Sequence, residues 1–255
     1  MEKKTVLITG ATSGIGESCA HKFAEGGCDI IITGRNEDKL ESLRKTLTDK
    51  YGVRVITSAF DVSNREEATK AVEEIMRQCD HIDVLVNNAG LARGLDHEYE
   101  GNFKEWDEMI DTNIKGLLTM TRLIVPGMVE RNSGHVINIG SLAGDAAYAG
   151  GNIYCATKAA VKALSDGLRI DVAHTKVRVT NIKPGLVETH FSNVRFRGDD
   201  QRADNVYRGI TPLTGDDIAD VVFYAASAPE HVQIAEVLVL ATHQANSFVI
   251  HREED

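Results

Sequence analysis

Thr5-Val6-Leu7-Ile8-Thr9-Gly10-Ala11-Thr12-Ser13-Gly14-Ile15-Gly16 opens with a short apolar and β-branched run and breaks at a glycine. It then passes through two more glycines into Ile15–Glu25, where apolar residues recur at helical spacing. A strand that turns into a helix through glycines brings backbone N–H groups close to a pyrophosphate with no Cβ in the way. The helix N-terminus adds partial positive charge at the same place. A glycine-rich turn alone is a weak signal, so its meaning depends on what surrounds it.

The surroundings repeat the pattern. Strand-like runs recur at Asp29–Thr33, Val53–Ala59, Val84–Val86, His135–Ile139, Arg178–Ile182 and Val237–Leu240, mostly apolar throughout rather than alternating. That composition suits parallel strands covered on both faces. Between them, Glu37–Tyr51, Arg65–Gln78, Phe103–Val129, Tyr154–Ala173 and Asp216–Ala226 carry charge on one side and apolar residues on the other. Strand and helix alternating to the end predict right-handed crossovers. The expected fold is α/β, a single Rossmann-type doubly wound parallel sheet of about seven strands with helices on both faces. His190–Gly215, rich in Arg, Asp and Gly, is the one long stretch outside this rhythm and reads as a lid. Nothing divides the chain, so residues 1–255 are expected to form one domain.

The 255 residues carry 28 basic and 38 acidic side chains, a net charge of −10, which argues against nucleic acid or an anionic membrane as partner. A local basic pocket for a small anion is compatible with that total. No apolar run approaches the length of a membrane span. Met1-Glu2-Lys3-Lys4 leads straight into the first strand with no apolar leader core. The four cysteines, Cys19, Cys28, Cys79 and Cys155, show neither CxxC nor metal-ligand spacing and read as reduced thiols. The expectation is a soluble cytoplasmic protein with no metal.

The spacing Gly10-x-x-x-Gly14-x-Gly16 differs from the commoner Gly-x-Gly-x-x-Gly and resembles that of the short-chain dehydrogenase/reductase family. Later motifs agree and follow the family's order over about residues 5–190. Asn87-Asn88-Ala89-Gly90 follows the fourth strand, Asn113 lies in the next long helix and Ser141 follows the fifth strand. Tyr154-x-x-x-Lys158 and then Pro184-Gly185 complete the series. The resemblance implies an oxidoreductase that moves a hydride between a nicotinamide and an alcohol or carbonyl carbon. Its implied cofactor residues are Gly10, Thr12, Ser13, Gly14, Ile15 and Gly16 at the turn, and Asp61 with Val62 at the adenine. Asn87, Ala89, Gly90, Tyr154, Lys158, Pro184, Gly185, Val187 and Thr189 complete that set, the last four covering the nicotinamide.

The residues after the second strand select between cofactors. Enzymes that prefer NAD place a carboxylate there to bind the ribose hydroxyls. This chain has Gly34 followed by Arg35, whose guanidinium can fork onto the 2′-phosphate of NADP. NADP(H) is therefore expected. Tyr154 and Lys158 lie one helical turn apart on one face. An ammonium beside a phenol favours phenolate and lowers its pKa, so Tyr154 can exchange a proton with the substrate oxygen. Ser141 would hold the same oxygen, and Lys158 would also grip the nicotinamide ribose. The resemblance gives Asn113 a role in supporting a water that links Lys158 to solvent.

Met109–Gly116, Pro126–Arg131, Tyr148–Asn152 and Phe191–Asp199 are similar to the NADP-dependent 3-hydroxy acid dehydrogenase branch, which includes serine and allo-threonine dehydrogenases and malonic semialdehyde reductases. His243–Asp255 is less characteristic. A small carboxylate substrate needs a fixed cation, supplied by Arg195 or Arg197 in the lid, with Arg93 a lesser candidate. Tyr148 is a candidate wall of the substrate pocket. Sulfoacetaldehyde reductase, 3-oxoacyl-carrier-protein reductase and a non-catalytic NADP(H)-sensing protein stay open as alternatives. The family resemblance further implies a homotetramer or homodimer formed by pairing Phe103–Val129 and Tyr154–Ala173 across a two-fold, where Ala156, Ala159, Ala160 and Ala163 permit close helix approach.

Overall fold

A computed structural model describes residues 3–253. The chain runs β1 (Thr5–Thr9), α1 (Gly14–Glu25), β2 (Asp29–Gly34), α2 (Glu37–Tyr51), β3 (Val55–Ala59), α3 (Arg65–Met76) and β4 (Val84–Asn87). It continues through α4 (Phe103–Ile110), α5 (Leu117–Glu130), β5 (Gly134–Ile139), α6 (Asn152–Asp171) and β6 (Val177–Pro184). The last elements are α7 (Phe191–Arg195), α8 (Asp200–Asn205), α9 (Gly215–Ser227) and β7 (Glu236–Val239). The strands form one sheet in the order β3-β2-β1-β4-β5-β6-β7, each neighbouring pair parallel. This is the doubly wound arrangement read from the sequence. The chain winds outward from β1 to β3, then returns to lay β4 on the other side of β1. That reversal opens a crevice at the C-terminal ends of β1 and β4.

Successive strand residues feed the two faces in turn. Val6 and Ile8 pack with Phe23, Leu40 and Val222 on one side, while Leu7 packs with Ile75, Met120 and Val179 on the other. Both layers are buried, which is why the strands read as unbroken apolar runs. Helix starts carry their own signals: Asn36 and Asn64 accept backbone N–H bonds at α2 and α3, and Thr214 with Asp217 forms a capping box at α9.

Boundaries shift by a residue or two from the sequence reading. β3 begins at Val55 rather than Val53, because Gly52, at φ 67°, closes α2 and two linking residues follow. One departure is larger. Phe103–Val129, expected as a single helix, is α4 and α5 joined through a π-helical turn at Asp111–Gly116. Asn113 sits in this wide turn and is turned inward to Leu91, accepting from its N–H and donating to its C=O at 2.8 Å each. Such turns are frequent at functional sites. The expected lid is not featureless either, since it contains α7 and α8. Among the described residues no helix is long and apolar enough to cross a membrane, and all four cysteines are free thiols.

Candidate active site

The crevice at the strand reversal is walled by the turn after β1, the ends of β4, β5 and β6, and the first residues of the lid. Two glycines shape its floor. A Cβ on Gly16 would lie 2.4 Å from both Asn88 Nδ2 and Gly10 O. Asn88 needs that room, because its Nδ2 donates to Thr9 O at 2.9 Å and Gly10 O at 3.0 Å, tying the end of β4 to the turn. Gly14 adopts φ +56°, and a Cβ there would sit 3.1 Å from the Thr189 side chain, so the turn and the lid's root close on a narrow passage. Ser13 precedes α1 without capping it through its side chain, which leaves first-turn N–H groups available to an anion. This cradle fits a dinucleotide pyrophosphate.

At the adenosine end, Gly34, Arg35, Asp61 and Val62 line the same crevice. A Cβ on Gly34 would meet Thr12 Cγ2 at 2.9 Å, so a carboxylate there needs Thr12 to move. Arg35 is loosely held, 3.7 Å from Asp61 and two-thirds exposed at 67%. Asp61 accepts from Ser63 N and Oγ at 2.9 and 2.7 Å, while Asn64 caps α3, so capping does not explain Asp61.

At the other end, α6 presents Tyr154 and Lys158 to the crevice, both buried. Lys158 Nζ lies 5.9 Å from the Tyr154 ring centre and donates to Ile139 O at 2.8 Å. The expectation of a lowered phenol needs correction. Burial pushes Tyr154 well above the ordinary phenol range and Tyr148 adds to this, while a hydrogen bond with Ser141 and the charge of Arg195 pull it back. The same burial brings Lys158 down to about 8. Spacing along a helix predicts the pairing of the two groups but not their joint removal from water. Ser141 Oγ accepts from Ala143 N at 3.0 Å, which fixes the hydroxyl oxygen at the start of the Leu142–Gly144 turn. Asn113 lies beneath this floor; its Nδ2 also donates to Thr157 Oγ1 of α6 at 3.0 Å.

The lid carries Arg195 over the phenol. Its guanidinium carbon is 5.6 Å from the ring centres of both Tyr148 and Tyr154. Nε donates to Gly94 O at 3.0 Å and Nη2 to the Tyr148 hydroxyl at 3.1 Å. The other two arginine candidates are engaged by carboxylates: Arg93 by Glu108 at 2.6 Å and Arg197 by Glu105 at 2.8 Å.

Most expected site residues therefore meet in one crevice: Gly10, Thr12, Ser13, Gly14, Ile15, Arg35, Asp61, Val62, Ala89, Gly90, Ser141, Tyr154, Lys158, Pro184, Gly185, Val187 and Thr189. Gly16, Asn113, Tyr148 and Arg195 do not line it, although Arg195 and Tyr148 lie against Tyr154, which does. Asn87 faces elsewhere, its Nδ2 donating to Asn138 Oδ1 at 3.0 Å inside the sheet. Phe60, Leu91, Thr112, Ile139, Gly140, His190, Phe191 and Val194 also line the crevice. Several flank expected residues, yet which neighbour faces inward depends on turns that no sequence period describes.

A family model for short chain dehydrogenase matches residues 4–200. The NADP-dependent 3-hydroxy acid dehydrogenase YdfG of Salmonella typhi is 49% identical over 241 residues, 94% of this chain and 96% of its own length. Its namesake from Escherichia coli K12 is 44% identical over 250 residues, covering 97% and 99%. A closed serine dehydrogenase complexed with NADP+ superposes with a TM-score of 0.89 at 44% identity, covering 98% of this chain and 100% of the other.

Proposed function

This chain belongs to the short-chain dehydrogenase family, and from that premise we propose an NADP(H)-dependent oxidoreductase interconverting small 3-hydroxy acids and their 3-oxo acids or semialdehydes. The glycine turn holds the pyrophosphate, Arg35 the 2′-phosphate, and Lys158 the nicotinamide ribose. When bound, NADPH supplies hydride to the carbonyl carbon, and NADP+ accepts it in the reverse direction. Ser141 fixes the substrate oxygen, and Tyr154 gives that oxygen a proton on reduction or takes one on oxidation. Asn113 steadies the back of α6 and supports the return of protons through Lys158.

The observation that carries the substrate class is Arg195. It reaches the phenol from the lid and, among the described residues, has no carboxylate partner, unlike Arg93 and Arg197. Its planar fork matches a carboxylate, with Tyr148 holding one edge. The test compares 3-oxo acids with their methyl esters in wild type and Arg195→Ala, with sulfoacetaldehyde as a second anion. Losing a charge-assisted contact of roughly 1.5–3 kcal/mol lowers kcat/KM for the acids about tenfold to a hundredfold. Equal losses on acids and esters overturn the carboxylate reading, and a preference for the sulfonate replaces the substrate. Tyr154→Phe lowers turnover by on the order of 10²–10⁴; retention of a tenth of the rate removes Tyr154 from its role.

The same reading includes assembly across α5 and α6. Ala156, Ala159 and Ala163 face outward rather than onto the sheet. The neighbouring apolar Leu118 and Ile170 are also exposed, at 43% and 76%. A second copy docked there would cover this strip.

A further inference from the structure

Burial opposes the chemistry assigned to Tyr154. The ring is only 9% exposed, and a phenol removed from water resists becoming phenolate. Tyr154 borders a small hollow shared with Arg93 and Asp96 from the loop after β4 and Glu105 of α4, where Arg93 is paired with Glu108 and Glu105 with Arg197. Other groups facing it lie on several elements. Lys158 and Cys155 come from its own helix, Tyr148 from the loop before α6, Ser141 from the turn after β5 and Arg195 from α7. Two of these are cations, at nearly equal distance: Lys158 Nζ at 5.9 Å from the ring centre and the Arg195 guanidinium carbon at 5.6 Å. The second is borne by the lid rather than by the scaffold.

Building on the acid/base reading of Tyr154, we propose that Arg195 also acts through Tyr154, stabilising the phenolate and thereby setting the pH at which hydride transfer from the alcohol is productive. Four contacts hold the segment and its charge in place. Gly94 N donates to Arg195 O at 3.1 Å, Arg195 Nε returns a bond to Gly94 O, and Arg197 anchors the segment to Glu105. The Tyr148 hydroxyl fixes one guanidinium edge at 3.1 Å. The downward pull of Arg195 on the phenol agrees with this geometry. A unit charge about 6 Å away at an effective dielectric of ~20 moves a pKa by roughly two units, and because Arg195 is only partly buried, solvent screening reduces that to about one.

This role differs from anchoring a carboxylate, since it operates on substrates that have none. The test follows kcat against pH for oxidation of a methyl 3-hydroxy ester at saturating NADP+. Arg195→Gln moves the alkaline-rising limb up by about one unit, whereas Arg195→Lys keeps the charge and holds the limb near its original place. Wild type supplies an independent measurement: a carboxylate seated on Arg195 cancels part of its charge, so the limb for the free acid lies above that for the ester. If Arg195→Gln leaves the ester limb unmoved, the proposal fails while the anchoring role stands on its own acid-against-ester test. A Tyr154→Phe protein retaining the same limb and a tenth of the rate overturns the acid/base reading, and this inference with it.

Discussion

Replacing Lys183 by methionine probes how the Ser141 turn is held in place. Lys183 is 5% exposed on β6, and its Nζ reaches Asp145 Oδ1 and Oδ2 at 3.0 and 2.8 Å and Glu236 Oε1 at 2.6 Å. Asp145 closes the Leu142–Gly144 turn that begins at Ser141, so the lysine ties that turn to the pocket floor and to the edge strand. Methionine fills nearly the same volume and leaves little cavity. The change is therefore one of charge. Glu236 keeps Lys162 at 3.8 Å and Asn181 Nδ2 at 3.4 Å, whereas Asp145 loses the ion pair it has. Breaking a fully buried pair costs about 3–5 kcal/mol; both carboxylates here are 33% exposed, and screening reduces the loss to about 1.5–3 kcal/mol. For a chain of this size, at roughly 2–4 °C per kcal/mol, Tm should fall by about 3–12 °C. The loosened turn should also lower kcat severalfold, with KM for NADPH unchanged because the glycine cradle is untouched. Scanning calorimetry and steady-state kinetics at pH 7 read both effects. Adding Asp145→Asn to Lys183→Met removes the stranded charge and should recover most of the Tm. A Lys183→Met protein with wild-type Tm and kcat refutes the reasoning.

Three further outcomes concern the cofactor, the pH dependence of stability and assembly. Arg35→Asp should cost NADPH about tenfold to a hundredfold in affinity; because the side chain is exposed, the lower end is expected, and equal use of NADH by wild type would contradict the assignment. His135 is 2% exposed, its Nδ1 has no partner among the described residues, and burial, aided by the charge of Arg178, holds its pKa well below the ordinary value. It stays neutral when folded and takes a proton when unfolded. Its contribution is therefore complete above pH about 6.5 and is lost as pH falls below that, at up to ~1.4 kcal/mol per unit. Denaturant melts from pH 7.5 to 5 should show a shallower decline for His135→Leu, and parallel declines would exclude the effect. Light scattering should give a dimer or tetramer, against 27.8 kDa for a single chain.

The sheet was legible because each strand is buried on both faces and each helix on one, and these periods survive in the sequence. The glycine turn was legible for a different reason, since backbone–backbone approach admits only one residue type. What the sequence hid depends on three-dimensional neighbours. Asn113 reads as helical in the sequence, but the π-helical turn that aims it at Leu91 has no period of its own. Sequence does not separate Arg195 from Arg197 and only ranks Arg93 below them, and the fold shows that Glu108 and Glu105 occupy Arg93 and Arg197. The upward push on Tyr154 is equally hidden, because four-residue spacing reports who is adjacent, not how much water remains.

Cofactor choice shows how a charge argument and a steric one converge. In the sequence, the missing acid at Gly34 and the cation at Arg35 point to NADP(H). The structure adds that Thr12 Cγ2 stands 2.9 Å from where a Cβ at position 34 would begin. Thr12 belongs to the phosphate turn, and its side chain has to rotate aside before a larger residue fits at position 34. The acid is thus disfavoured by shape as well as absent by composition. Arg35→Asp puts a carboxylate one residue further on, on a side chain that is largely in solvent, where water competes for the ribose hydroxyls. Loss of NADPH without gain of NADH is the consistent outcome. A switch to NADH needs room at Thr12 before it needs a new charge.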